Sequence, residues 1–294
     1  QFLRQRLTLQ QPDCVGASED IEPLLAPNHG LENQALQHAV FDAMLAGDSM
    51  ASLLPRLRAR ARLPSGPLGA QGLAEIEQAV APYVQVFAHW RAQQVPQTLA
   101  LACDIDGVRL HGHLQGVYPQ GIARLQFGAP NGASVLRNGL DWLLACAAGS
   151  RLPFFEFHQD PSGNLGPHLR AAVSQEAAIA ALRSLLALRQ QGLQAPLVFA
   201  PYSSWLLFNV EDVGKGIKAA TEKWRGSERR WAEASAPAYQ LALRSRDPFA
   251  STDAMTEFAR ISGEVFGLVT AACAKDISVH GHALPEQDDA EDAA

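Results

Sequence analysis

Thr98-Leu99-Ala100-Leu101-Ala102-Cys103-Asp104-Ile105-Asp106-Gly107-Val108-Arg109-Leu110-His111-Gly112-His113-Leu114-Gln115-Gly116-Val117-Tyr118-Pro119-Gln120-Gly121-Ile122-Ala123-Arg124-Leu125-Gln126-Phe127 is the stretch that decides the fold. Side chains alternate in character from Thr98 to Cys103 and again from Val108 to Tyr118, the two-residue period of a strand with one buried face. Asp104-Ile105-Asp106-Gly107 reads as a hairpin turn with a left-handed residue. Pro119-Gln120-Gly121 reads as a second turn before a third strand, Ile122 to Phe127. The segment is therefore a meander of three strands.

The helical period takes over on both sides. Upstream, helices are expected from Leu31 to Leu45, from Ser49 to Ala61 and from Ala70 to Gln93. The last two are separated by the Pro/Gly breaker Leu63 to Gly69. Phe2 to Leu9 reads as a short helix, and a polar loop with Pro12, Pro23 and Pro27 follows it. Downstream, Ser134 is expected to cap a helix running to about Ala148. Leu152 to Phe157 follows as a strand, then a loop, then a helix capped by Ser174 from Gln175 to Gln191. The order helix, three strands, helix, strand, helix predicts an α/β sandwich. Beyond Ala195 the pattern is mainly helical: Ser203 to Phe208, Val213 to Trp224, Pro237 to Leu243 and Thr252 to Ala274.

The 294 residues, 47% of them apolar, can bury a sizeable core. Only 18% are charged, which suggests that part of the surface is covered by something else. A net charge of −6 does not suit a free-standing DNA binder. Part of that charge is local, in the segment from Leu284 to Ala294, which holds five acids and no base and reads as a disordered acidic tail after a domain spanning 1–283. The chain opens on Gln1 and reads as a piece of a longer polypeptide, with no signal peptide and no run of membrane-spanning length. The four cysteines form no C-x-x-C pair and read as reduced thiols of a cytoplasmic protein.

Several motifs invite chemistry and have plainer explanations. His111-Gly112-His113 could share an ion on one strand face, but no third ligand is placed. The same holds for His280-Gly281-His282 at the edge of the tail. Asp104-Ile105-Asp106-Gly107 resembles the start of a calcium loop but runs directly into strand. Gly47-Asp48-Ser49-Met50 resembles a serine-esterase block, yet it follows a helix, where Asp48 or Ser49 serves as a cap. Two basic clusters suit phosphate contacts, a solvated helix face or a subunit interface equally. The first is Arg56, Arg58, Arg60 and Arg62. The second is Lys215, Lys218, Lys223, Arg225, Arg229 and Arg230, mixed with Trp224 and Trp231 and preceded by Trp205. No G-x-x-x-x-G-K-[ST] loop is present, so nucleotide binding is not expected.

Taken together, these segments resemble a known family. Phe2 to Leu7, Leu57 to Gly69, Leu110 to Leu114, Trp142 to Gly149, Pro237 to Tyr239, Arg244 to Pro248 and Phe258 to Phe266 are similar, in order and spacing, to the C-terminal domain of the gamma subunit, RecC, of exodeoxyribonuclease V. The resemblance implies a core like that of the PD-(D/E)xK nucleases, with added helices. Active members need an Asp on the second strand and an acid and a Lys on the third, to hold magnesium and activate water. Here the matching positions fall near Gln115, Phe127 and Ala129, and Val108 to Pro130 contains no Asp, Glu or Lys. Where the next helix of the family offers Gln and Tyr, this chain has Asn138 and Trp142. The implied domain is thus catalytically inactive. It would guide DNA and scaffold the beta subunit (RecB) and the alpha subunit (RecD) at double-stranded ends and forks, away from any membrane. Magnesium and ATP would act in those partners, and this chain would need no cofactor. The DNA-contact candidates are Arg56, Arg58, Arg60, Arg62, Trp205, Lys215, Lys218, Trp224 and Arg225. Two other readings stay open: a docking module that never touches DNA, and an active nuclease with a migrated site built from Asp104, Asp106 and Glu156.

Overall fold

A computed structural model describes residues 23, 25–27, 30–227, 230–244, 246–279 and 281–282. The expected N-terminal helix, Cys14, His280 and the acidic tail lie outside the described residues.

The chain enters through three helices, α1 (Gly30–Ala46), α2 (Met50–Ala59) and α3 (Gly66–Arg91). Ser49 caps α2, its side chain accepting from the Ser52 amide, which gives the Gly47–Met50 block its plainer explanation. The Pro/Gly breaker is shorter than the sequence suggests. Helix α3 begins at Gly66 with Pro67 in its first turn, where a missing N–H leaves no bond unmade. It continues through Pro82 because Leu73, Ile76, Val80, Tyr83 and Phe87 are buried along one side.

The meander follows as β1 (Gln97–Ile105), β2 (Val108–Tyr118) and β3 (Gly121–Leu125). Asp106 and Gly107 both take positive φ (50° and 80°), as a tight two-residue hairpin turn requires. Helix α4 (Gly132–Ala147) crosses over to β4 (Phe154–Gln159), which pairs parallel to β3. Its cap is Asn131, and Ser134 completes a reciprocal capping box three residues on. The sequence reading missed β5 (Leu165–Arg170), antiparallel to β4. Pro167 is tolerated there because an edge strand accepts a proline that makes no ladder bond. The five strands lie in chain order in one mixed sheet.

Helix α5 (Gln175–Gln194) returns over the sheet, capped by Ser174 as expected. Then come α6 (Pro201–Phe208), α7 (Val213–Arg225), a short 3-10 turn (Glu233–Ser235), α8 (Pro237–Leu243) and α9 (Thr252–Ala271). The sheet separates two cores. Leu114, Ile122 and Phe154 pack with Trp142 and Leu143 of α4, Leu182 of α5 and Phe266 of α9. On the other face Tyr118, Ala123 and Phe157 pack against Phe41, Leu73, Tyr83 and Phe87 of the entering helices. A third cluster joins α6, α7 and α9 through Leu207, Ile217, Trp224 and Phe258. Helices α4 and α9 cross so closely that a Cβ on Gly139 would lie 2.4 Å from the Val269 carbonyl oxygen. The order helix, meander, helix, strand, helix expected from the sequence is present, with one strand more.

Candidate functional site

The meander is irregular at one place. Gln97 faces Val117 and Leu99 faces Leu114, so β2 carries an extra residue at Gln115-Gly116. Gly116 has φ 64°, and a Cβ there would lie 2.9 Å from the Ala123 carbonyl oxygen. A bulge of this kind re-aims the side chains around it.

Arg124 of β3 locks the bulge. Its Nη1 donates to the Gln115 carbonyl at 2.6 Å and the Ala123 carbonyl at 3.0 Å. Its Nε and Nη2 donate to Asp141 Oδ2 on α4 at 3.1 and 2.8 Å. Arg124 is the register neighbour of Glu156 on β4. Glu156 in turn accepts from Arg170 of β5 at 2.8 and 3.0 Å and from Asn138 of α4 at 3.0 Å. The guanidinium of Arg170 also lies 5.2 Å from the Trp142 ring centre, and Phe154 lies between the two arginines at 5.6 and 5.8 Å. Asp141, Arg124, Glu156 and Arg170 therefore form a row of alternating charge beneath α4. Asn138 and Trp142, singled out in the sequence, both serve this row.

The bulge opens into a cleft of about 850 Å³ between α1, the end of α3, the start of β1 and α4. Arg91, Arg124 and Arg137, together with His38, His113, Gln115, Asp42 and Asp141, line it. Desolvation holds the His38 imidazole below its ordinary range; Arg137 adds to this, and Asp42 opposes it. Its ring packs edge-on against Phe127.

The three positions proposed for a degenerate nuclease fall in three settings. Gln115 lines the cleft. Strand β3 ends at Leu125, so Phe127 lies beyond it, packed among Phe41 and Tyr83, and Ala129 is an exposed loop residue. The residue placed beside Gln115 is Arg124. The alternative set Asp104, Asp106 and Glu156 is not assembled either. Asp104 and Asp106 are at the hairpin end, where Asp106 pairs with Arg183 of α5 at 2.6 Å, while Glu156 is committed to Arg170. Among the described residues, no three His, Cys, Asp or Glu side chains gather as metal ligands would.

The basic candidates divide by exposure. Arg60 and Arg62 are exposed, and Arg56 lies 4.0 Å from Asp48. Arg58 donates to the Gly66 carbonyl and so braces the turn into α3. Leu63 and Pro64 are buried, so this segment is anchored. Lys215 and Lys218 are exposed on α7. Trp224 is 4% exposed and belongs to the core, so it has no face to offer a base. Trp205 packs on Phe208 and Phe266, and Arg225 pairs with Asp247 at 3.0 Å. The exposed aromatic of this region is Trp231, with Lys223 Nζ 4.9 Å from its ring centre and 5.3 Å from that of Tyr202. Glu233, 1% exposed, accepts from the Tyr202 and Ser203 amides and the Ser203 hydroxyl and thereby caps α6 from 30 residues away.

Among the described residues, no helix is long and apolar enough to cross a membrane. A family model described as the RecC C-terminal domain matches residues 1–212. No curated protein matches the chain.

Proposed function

The chain belongs to the RecC C-terminal domain family and so to a subunit of the RecBCD complex in DNA repair, and from that premise we propose that it is a non-catalytic DNA-guiding and scaffolding domain with a PD-(D/E)xK nuclease-like core. It helps part the duplex at ends and forks and holds the beta (RecB) and alpha (RecD) subunits. Magnesium and ATP act in those partners.

The alternating row beneath α4 carries this reading. Phosphodiester cleavage of the nuclease type needs carboxylates free to bind magnesium and a base or lysine beside the attacking water. Here Arg124 stands beside Gln115, Asp141 neutralises Arg124, and Arg170 with Asn138 occupies Glu156. Each acid already has its cation, so the row sums to zero charge, which favours the non-catalytic reading over a divalent-ion site. A domain that parts strands needs no such chemistry. It needs rigid placement and cations that meet phosphates, which Arg56, Arg60, Arg62, Lys215 and Lys218 can supply from the surface.

The test is reconstitution of the full-length subunit with its two partners. A complex carrying Arg60→Glu with Arg62→Glu, or Lys215→Glu with Lys218→Glu, is expected to assemble normally and to unwind a forked duplex more slowly. Normal unwinding by both variants would leave subunit docking as the domain's role. Magnesium-dependent cleavage that persists after the partner's nuclease is inactivated, and is lost with Glu156→Gln, would overturn the non-catalytic reading.

A further inference from the structure

We propose that the cleft at the β2 bulge seats the backbone phosphates of one DNA strand, held by Arg137 and Arg91. This rests on the DNA-guiding reading and gives it a site distinct from the exposed basic clusters, although Asp42 is shared with a hollow lined by Arg56 and Arg60.

The two arginines of α4 and β3 that line the cleft differ in what they already hold. Arg124 has its donors directed at Asp141 and two carbonyls. Arg137, one helical turn from Asp141 on α4, is exposed and makes no hydrogen bond or ion pair among the described residues. Arg91 at the end of α3 makes one long bond to the Leu45 carbonyl, at 3.4 Å, and its Nε is buried without a partner. Arg91 thus carries a guanidinium with little satisfied donor capacity at the cleft wall, which favours an anion there. Gln115 and His113 add further polar groups on the strand wall. Against these stands Asp42 of α1, near His38. With Asp141 already neutralised by Arg124, the remaining balance is two arginines to one aspartate, which favours an anion.

The shape selects the class of anion. A concave space of about 850 Å³ can take a short run of one strand. It cannot take a double helix, whose major groove alone is about 12 Å wide. The large aromatic residues of the lining, Phe41, Phe87 and Tyr118, are sealed in the core, which leaves the imidazoles of His38 and His113 as the exposed rings there. With the large rings sealed, the two arginines make phosphate the main contact, and binding is expected to depend little on sequence.

The test uses the full-length subunit within its complex and fluorescent oligo-dT and oligo-dA single strands, with a blunt duplex as a third probe. Arg137→Glu together with Arg91→Gln is expected to weaken single-strand binding about tenfold and to flatten the dependence of log K on log salt by about 0.7 for each phosphate that is no longer neutralised. Asp42→Asn is expected to tighten binding, an effect that a merely structural role would not produce. Unchanged affinity and salt slope in the double variant would overturn the proposal, as would a preference for one base or dependence on Arg137 for duplex alone. If these variants bind normally while the surface reversals slow unwinding, the cleft fails and the guiding role stands. If both sets leave DNA handling untouched, the guiding reading fails with it.

Discussion

The two ion pairs beneath α4 share a form and differ in setting. In each, an arginine from the sheet meets an acid, and both guanidiniums lie against the same ring, Phe154. The Arg170–Glu156 pair is sunk in the sheet, with side chains 9% and 15% exposed. The Arg124–Asp141 pair forms a wall of the cleft, with 16% and 34% exposed. Water can replace a lost partner at the second pair and not at the first. Similar chemistry thus acts as a structural rivet in one place and as the fixed edge of an opening in the other.

Breaking the inner pair should have the largest effect. Arg170→Ala should destabilise the chain by about 3–5 kcal/mol, because it leaves the mostly buried Glu156 carboxylate with Asn138 as its remaining partner and also removes the 2.7 Å bond to the Val269 carbonyl. Denaturant unfolding measures this, and a loss no greater than that of Arg124→Ala would erase the distinction between the pairs. Arg124→Ala should lose about 1–2 kcal/mol and loosen the bulge, which hydrogen exchange at the amides of residues 115–117 would detect.

A smaller difference should appear on acidification. His158 stacks on His168 at 4.2 Å beside the inner pair, and His38 borders the cleft. Desolvation lowers both His158 and His38 below the ordinary 6.5, with His168 lowering the first further against Glu156, Asp160 and the Gln159 carbonyl. Each imidazole therefore favours the folded state when neutral. Stability should be full above about pH 6.5 and fall as pH drops below it, since the unfolded chain takes up the proton first. Unfolding midpoints between pH 7.5 and about 5.5 measure this. His158→Gln and His38→Gln should each flatten the slope, and an unchanged slope in both would remove these imidazoles as its source. The smallest effect belongs to Arg137→Ala. It should change stability by no more than about 0.5 kcal/mol, because Arg137 braces nothing in the fold.

What the sequence disclosed follows from the range of the interactions involved. The hairpin at Asp106-Gly107, the Ser49 and Ser174 caps and the alternation of β2 depend on neighbours a few residues away, and all were readable. Strand β5 was not, because Gly166 and Pro167 are acceptable only at a sheet edge, and edge position is a property of the assembled sheet. The row beneath α4 was hidden for a similar reason. Its acids and bases were visible, but β3–β4 and β4–β5 pairing decides that Arg124 stands beside Glu156 and that Arg170 reaches it. Gln115 lines the cleft, while Phe127 and Ala129 lie beyond the end of β3 at Leu125, an end that had no local signal in the sequence. Trp224 looked like a surface aromatic among lysines, whereas the apolar side of α7 takes it inward.

Glu233 and α9 bear on how the chain is made. The family match ends at residue 212, yet Glu233 caps α6, and α9 inserts Phe266 and Val269 between α4 and α6. During synthesis, α4 and the sheet would leave the ribosome well before the helix that covers them. Until α9 emerges, Trp142, Leu143 and Phe154 lack part of their cover, and Gly139 has no helix crossing it. That interval is the nascent chain's exposure to chaperones and to premature association, and a stop codon placed after residue 212 would make it permanent.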